Sequence, residues 1–385
     1  MPDPGDFVYD PLRTDFQCQA RDVYRTLRDE HPLYHNPERD FWALSRFADV
    51  RDTAADTRRF SSENTDISVG LIPQIQSMDP PRHDALRNLV SRAFTGRRAD
   101  AMEPRIRGIA RGLIDSFAER GEADLMAEYA RHLPSLVIGE MIGVPEDRRE
   151  AFLEWTESMV GTEGDRDREV REAATNIYTE FSKLLALRRE RRRDDLMSAL
   201  IDAEIDGRHL DEQELLGFCF VLIVAGNDTT TNLIANGAVL LAEHPEQRAE
   251  LTAHPAGLHD AIEEMLRVES PAQVLPRRVL EDVTLHGRRL PAGALLRLVW
   301  GAANLDEREF PDPERFDIHR APRHIAFGHG AHFCLGARLA RLEARVAFEE
   351  LLARMPDYEL SDEPGWQTSM WARAHRQVPV RFSPR

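Results

Sequence analysis

The chain has 385 residues and a mass of 43.9 kDa, enough to bury a large core in one or two domains. Its 50 basic and 67 acidic residues leave a formal net charge of −17, with Lys183 the only lysine, a balance that argues against general binding to nucleic acid or to anionic membranes. The cysteines Cys18, Cys219 and Cys334 are too few and too irregularly spaced for a disulfide framework.

Met1 to Asp6 contains no basic region followed by an apolar one, so the expectation is a cytoplasmic chain without a signal peptide or membrane anchor. Asp22 to Glu30 predicts a short amphipathic helix, Leu33 to Leu44 a hairpin turning near Pro37, and Phe47 to Ala55 another helix. Periodicity is lost from Ser61 to Pro81, where Ile67, Val69, Leu71, Ile72 and Ile75 punctuate a polar loop. A long loop that carries apolar side chains is often a functional lid. Pro80 and Pro81 favour a helix start, after which His83 and Arg87 fall one turn apart on one face. Two cationic donors so placed suit a carboxylate. Arg92, Arg97, Arg98, Arg105, Arg107 and Arg111 follow, a local basic cluster whose plain reading is a solvated helix face.

Helical patterns run from Met126 to Met141 and from Arg148 to Arg189, with a break at Gly143-Val144-Pro145 and a charged turn from Gly161 to Asp167. The arginine-rich run 188–193 predicts a solvated helix end and linker, and Asp194-Asp195 offers an N-cap for the next helix. Leu215 to Ala225 is apolar nearly all round, which predicts a helix buried through the middle of the fold; as a run it is too short to span a bilayer. Ala225-Gly226-Asn227-Asp228-Thr229-Thr230-Thr231-Asn232 then puts small and polar residues in the same helix. Buried polar groups there need partners, and a threonine hydroxyl can bond back to a carbonyl and bend the helix.

Asp260 to Ser270 predicts a helix stopped by Pro271, with Glu264 and Arg267 as i,i+3 neighbours. Val279, Val283, Leu285, Leu290, Leu296 and Leu298 around Gly287 predict strands and a hairpin, and Asn304 to Phe316 is Pro-rich and irregular. Ile325 to Ala340 is the most constrained stretch. Gly328, Gly330 and Gly336 let the backbone turn tightly and approach a flat object closely, and Leu335, Leu339, Leu342 and Val346 recur at helical spacing. Cys334 therefore lies at a helix N-terminus, where free N–H groups favour an anion. A thiolate held there can ligate iron.

Phe-Gly-x-Gly-x-His-x-Cys-x-Gly, from Phe327 to Gly336, resembles the heme-binding loop of the cytochrome P450 family. With His83/Arg87, Asp228/Thr229 and Glu264/Arg267 preceding it in the family's order, the resemblance runs through essentially the whole chain to Phe382 and is to the soluble bacterial type. It implies a mainly α fold with a small β region, one domain over residues 1–385, and heme b held between the oxygen-side helix of Asp228 and the helix after Cys334. Cys334 would be the axial thiolate, which pushes electron density onto iron and favours O–O cleavage. Phe327 would pack beside the porphyrin at the Gly336 turn, and His83, Arg87, His332 and Arg277 would hold the propionates, Arg278 replacing Arg277 after a one-residue slip. Ala225 and Gly226 would leave room over the iron. Thr229 would hydrogen-bond the activated oxygen and hold a water, with Asp228 relaying protons from solvent. Ile72, Asn227, Val274 and Leu275 are the substrate contacts so implied, while Met370 and Trp371 near the C-terminus either close the pocket or belong to the core. Glu264 and Arg267 would be joined by Arg315 in a buried structural cluster.

The implied activity is a monooxygenase that inserts one atom of O2 into a hydrophobic small molecule, as in secondary metabolism. Its electrons would come from ferredoxin and ferredoxin reductase, docked on the basic cluster together with Arg338 and Arg341. Two other readings keep the heme: peroxide-driven or oxidative-coupling chemistry, and a non-catalytic sensor. The Asp228-Thr229 pair disfavours peroxide dependence, because peroxide brings its own protons, and disfavours the sensor, which needs no proton relay.

Overall fold

The computed structural model describes residues 7–13, 15–63, 65, 72, 74–160, 166–205 and 207–384. Helix α1 (Phe16–Asp29) leads into the hairpin β1 (Leu33–Asn36) and β2 (Phe41–Leu44), then α2 (Phe47–Ala55) and the short strand β3 (Phe60–Ser61). Next come α3 (Arg82–Ala93), α4 (Gly96–Ala101), α5 (Glu103–Asp115), β4 (Glu122–Asp124) and α6 (His132–Ile142). After them run α7 (Arg149–Val160), α8 (Arg166–Glu190), α9 (Leu196–Asp202), the two-residue strands β5 (Glu204–Ile205) and β6 (Arg208–His209), and α10 (Glu212–Glu243). The C-terminal part holds α11 (Pro245–Ala253), α12 (Leu258–Val268), β7 (Val274–Val279), β8 (Val283–Leu285), β9 (Arg288–Leu290), β10 (Leu295–Val299), α13 (Trp300–Ala303), α14 (Ala337–Arg354), β11 (Glu359–Leu360) and β12 (Pro379–Arg381). The mainly helical class with a small sheet region is thus as the sequence predicts. The predicted turn from Gly161 lies largely outside the described residues, as do Ile67, Val69 and Leu71.

α10 is the 32-residue axis of the core. It starts with a reciprocal cap: Asp211 accepts the Glu214 N–H at 2.8 Å, and Glu214 accepts the Asp211 N–H at 3.1 Å. It is long and apolar enough to cross a membrane, yet 61% of its apolar window is buried inside the protein, against α6, α14, α12, α7 and α8. α14 buries Leu339, Leu342 and Val346, the face that the sequence spacing picks out. The five-stranded sheet has the order β1-β2-β10-β7-β3, with β10 parallel to β2 and the other pairs antiparallel.

Two predicted placements are corrected. Arg188 is not solvated like the exposed Arg189 and Arg191 to Arg193; it is buried, ion-paired to Asp195, and donates to the Gly143 carbonyl at 2.8 Å. It ties the end of α8 to the α6–α7 connection, while Asp195 also caps α9 by accepting the Ser198 N–H at 2.8 Å. The second correction concerns the cluster around Glu264. Glu264 and Arg267 are fully buried and paired twice at 2.7 Å, but the arginine that joins them is Arg320, whose Nε donates to Glu264 Oε1 at 3.0 Å. Arg315 turns its side chain out to Asp317, and its carbonyl points inward to accept from Arg267 and Arg320 at 3.3 Å each. The family resemblance suggested Arg315; the backbone turn between Pro313 and Arg320 reverses which arginine faces in.

Arg267 also donates to the carbonyls of Asn304 at 3.0 Å and Pro313 at 2.7 Å, so this cluster anchors the irregular segment that leads to the cysteine loop. Removing one partner of a buried charge leaves the other uncompensated. Arg320→Ala is expected to lower unfolding free energy by about 3 kcal/mol in urea titrations, whereas Arg315→Ala should stay within about 0.5 kcal/mol of the parent. The reverse order would restore Arg315 to the cluster.

Candidate functional site

The loop before α14 is closed by its own backbone: the Cys334 N–H donates to the Phe327 carbonyl at 2.9 Å. Gly330, at φ 73°, presses so closely on the end of α2 that a Cβ would lie 2.9 Å from the Ala55 Cα. Cys334 follows, three residues before α14 begins. Burial pushes its thiol up, while the N–H groups of Gly336 and Ala337 and the guanidinium groups of Arg87 and Arg341 act the other way. The sulfur thus has donors ready for an anion, and a metal cation facing it would deprotonate it outright. Among the described residues no group of three or more His, Cys, Asp or Glu side chains is arranged to hold a bare metal ion.

The ring of Phe327 lies 4.4 Å from the Arg341 guanidinium. Arg341 is held there by a two-point pair to Glu263 at 2.6 and 2.7 Å, and Glu263 also receives His324 at 3.2 Å. Burial works against the Glu263 charge, but hydrogen bonds from Arg341 and His324 prevail and hold its pKa at about 2.

α3 and β7 bring a second group together. His83 is 1% exposed; its Nδ1 meets Asp84 at 2.9 Å and its Nε2 is buried without a partner. Its ring centre is 4.2 Å from that of His332, whose Nε2 meets Ser62 Oγ at 3.1 Å. Arg87, one turn after His83, donates to the Phe333 carbonyl at 2.6 Å. Arg277 is buried, and burial lowers its pKa to about 10 against the pull of Asp79. Burial, then Arg277, His83 and Arg87, push His332 down to about 3, so four donors sit close enough to repel one another. Arg278 instead points to the Gly293 carbonyl at 2.9 Å, which leaves Arg277 as the member of the cluster. A buried cationic group with an orphaned nitrogen fits the propionates of heme, as the Cys334 sulfur fits its iron.

On α10 the residues Val221, Val224, Ala225, Asp228 and Thr229 form an accessible stripe on a helix otherwise largely buried. Thr229 donates to the Ala225 carbonyl at 2.9 Å, the back-bond expected of this stretch, and Asn232 donates to Asp228 at 3.3 Å. Gly226 is partly accessible as well, and a Cβ there would stand 3.4 Å from Ile138 of α6. Asn227 is turned away, 4% exposed and donating to Thr156 of α7 at 3.1 Å.

The other implied substrate contacts are dispersed. Val274 is buried in the cluster formed with Tyr9, Phe16 and Val299, so it is core. Trp371 packs partly buried against that cluster, 5.5 Å from the Arg297 guanidinium, which Met370 also touches. Leu275 and Ile72 are partly buried against two other apolar clusters. The basic cluster is largely spent on internal ion pairs: Arg105 with Glu140, Arg107 with Glu103, Glu349 and Glu350, Arg111 with Glu350, Arg338 with Asp100. Arg92 is exposed and donates to the Glu204 carbonyl at 3.2 Å; Arg97 and Arg98 are exposed with no acidic partner among the described residues. Residue-type reasoning missed Arg320, Ser62 and the Glu263–Arg341 support. Only the last had a signal, an acidic residue on α12 beside the Glu264 position.

A model of the cytochrome P450 family matches residues 147–254 and 258–363. The chain is 40% identical over 389 residues to the cytochrome P450 monooxygenase PikC of Streptomyces venezuelae, covering 96% of this chain and 93% of that protein. It is 39% identical over 397 residues to a vitamin D(3) 25-hydroxylase of Pseudonocardia autotrophica, covering 99% and 98%. The structure of cytochrome P450 CYP109Q5 from Chondromyces apiculatus aligns with a TM-score of 0.91 at 37% identity over 98% of both chains.

The Glu263 support has a pH signature. A carboxyl held at about 2, below its ordinary 4.5, stabilises the fold fully above 4.5 and loses that contribution as pH falls towards 2. Glu263→Gln is expected to cost on the order of 2 kcal/mol at neutral pH, and its stability should converge with the parent's in acid. Parallel pH–stability curves would remove Glu263 from this role.

Proposed function

Since the chain belongs to the cytochrome P450 family, whose members are monooxygenases with heme b on a cysteine thiolate, we propose that Cys334 is that axial ligand and that His83, Arg87 and Arg277 hold the propionates, with His332 beside them. The observation that carries this reading is the pairing of a sulfur that faces two backbone N–H groups with a buried cluster of cationic donors whose His83 nitrogen lacks a partner. Bound heme supplies the redox chemistry that splits O2, sending one atom to substrate and one to water.

The chain's own residues supply position and protons. Phe327, held against Arg341, would pack beside the porphyrin. Ala225 keeps the opposite side open where α10 is accessible. The Thr229 hydroxyl donates to the Ala225 carbonyl and keeps its acceptor capacity for a water. Asp228 is the carboxylate that passes protons from solvent to that water, and Asn232 orients it. Electrons come from a ferredoxin and its reductase. The open cations Arg97 and Arg98 and the 43% exposed Phe333, next to the ligand, support an acidic docking partner on that face. The substrate is a largely apolar small molecule of secondary metabolism; similarity to a protein named vitamin D(3) 25-hydroxylase supports its apolar character.

Cys334→Ala should abolish the thiolate-type absorption band of the reduced carbon monoxide complex; an unchanged band refutes the ligand. Thr229→Ala should retain heme and NAD(P)H consumption while diverting most electrons to hydrogen peroxide. Turnover that stays tightly coupled in that variant would exclude Thr229 from proton delivery.

A further inference from the structure

Asn227 sits between α10 and α7, on a flank of α10 away from the accessible stripe. α7 buries Phe152, Leu153 and Thr156. The Asn227 amide donates from Nδ2 to Thr156 Oγ1 at 3.1 Å, and that hydroxyl donates in turn to the Leu153 carbonyl at 2.9 Å. The hydroxyl proton is therefore committed within α7, and only its lone pair is offered to Asn227. The Oδ1 of Asn227 is buried without a partner.

A leucine at 227 would have nearly the same shape and leave no bare oxygen, and Thr156 would keep its bond to Leu153. Stability alone gives no reason for the amide. What the amide supplies is direction, because a hydrogen bond constrains angle as well as distance, while apolar contact constrains neither closely. The approach of Gly226 to Ile138 is of the apolar kind.

Asp228 and Thr229 follow Asn227 directly. Side-chain tips stand about 5–6 Å from a helix axis, so turning the helix by about 10° carries them about 1 Å sideways. A displacement of that size is enough to degrade a reacting geometry. The turn is also intrinsically weak: Thr229, Thr230 and Thr231 are all β-branched, and the Thr229 back-bond to Ala225 is of a type that bends helices.

We propose that Asn227 is a positioning residue: through Thr156 it locks the rotation of α10 against α7 at the turn that carries Asp228 and Thr229. The proposal rests on the oxygenase reading above and adds to its proton-delivery pair two residues that act from behind the helix.

Carbon monoxide on the reduced, heme-loaded enzyme is the probe, because its infrared stretching frequency and bandwidth respond to polar groups within reach of the bound gas. Thr229→Val sets the scale by removing the hydroxyl itself. Asn227→Leu and Thr156→Val should each shift or broaden the band at least half as much. Their combination should go no further than either alone, as two groups acting as one unit require. Thr156→Ser, which keeps the hydroxyl, should reproduce the parent band. Thermal unfolding separates positioning from bulk stability: Asn227→Leu should unfold at or above the parent temperature, since it removes a bare buried oxygen. A parent-like band in both Asn227→Leu and Thr156→Val overturns the proposal. So does a change shared by Thr156→Ser, an additive change in the combined variant, or a lowered unfolding temperature in Asn227→Leu. A thiolate-type absorption band in the same samples keeps the oxygenase reading intact under those outcomes. Absence of that band in the parent overturns both, and an unmoved infrared band in Thr229→Val overturns this proposal together with the role of Thr229.

Discussion

Glu264 carries a negative charge to a point with no solvent contact, and the way that charge is met sets the frame of the site. A lone carboxylate there would neutralise or unfold its surroundings. Two guanidinium groups make its position tolerable, and each does more than cancel charge. Arg267 spends its remaining donors on the carbonyls of Asn304, Pro313 and Arg315, and Arg320 on those of Pro311, Asp312 and Arg315. Residues in an irregular segment have no ladder to satisfy their backbone, so these side chains do it instead. Asn304 continues the chain of contacts by accepting the Ile325 N–H at 2.9 Å, where the cysteine loop starts. The position of Cys334 is therefore inherited in part from the charge of Glu264 on α12, rather than from the loop alone.

α10 shows how one element serves both core and chemistry. Glu214 to Phe220 and Thr230 to Leu241 are buried, as a core helix demands. Between them the side chains shrink to Ala225 and Gly226, and hydroxyls and amides appear. Gly226 lies nearest Ile138 of α6, and Ala225 is the most accessible residue of the stripe. Thr229 bonds back to Ala225 at the very turn where the stripe is accessible, so helix geometry and the proposed proton handling meet in one hydroxyl.

The sequence discloses what depends on periodicity or local chemistry. α2 lies where its pattern predicts it, the β1–β2 hairpin turns after Asn36, and the cysteine loop is visible from its glycines. Contacts that depend on where a side chain points after an irregular turn are not legible. Arg315 and Arg320 are equal as letters, and only the backbone decides which faces Glu264. Arg188 sits in a run of arginines that composition reads as solvated, and one of them is taken inward by Asp195. Val274 and Leu275 alternate on a strand, and periodicity says that they face opposite ways but not which way is core.

Around His332 the deficit is one of negative charge: Arg87 and Arg277 crowd a ring that burial keeps neutral, and the His83 Nε2 beside it lacks a partner. An anion relieves that deficit. A fold selected only for stability would fill the place with apolar side chains of matching volume. That it stays polar is the physical argument for the proposed propionate site.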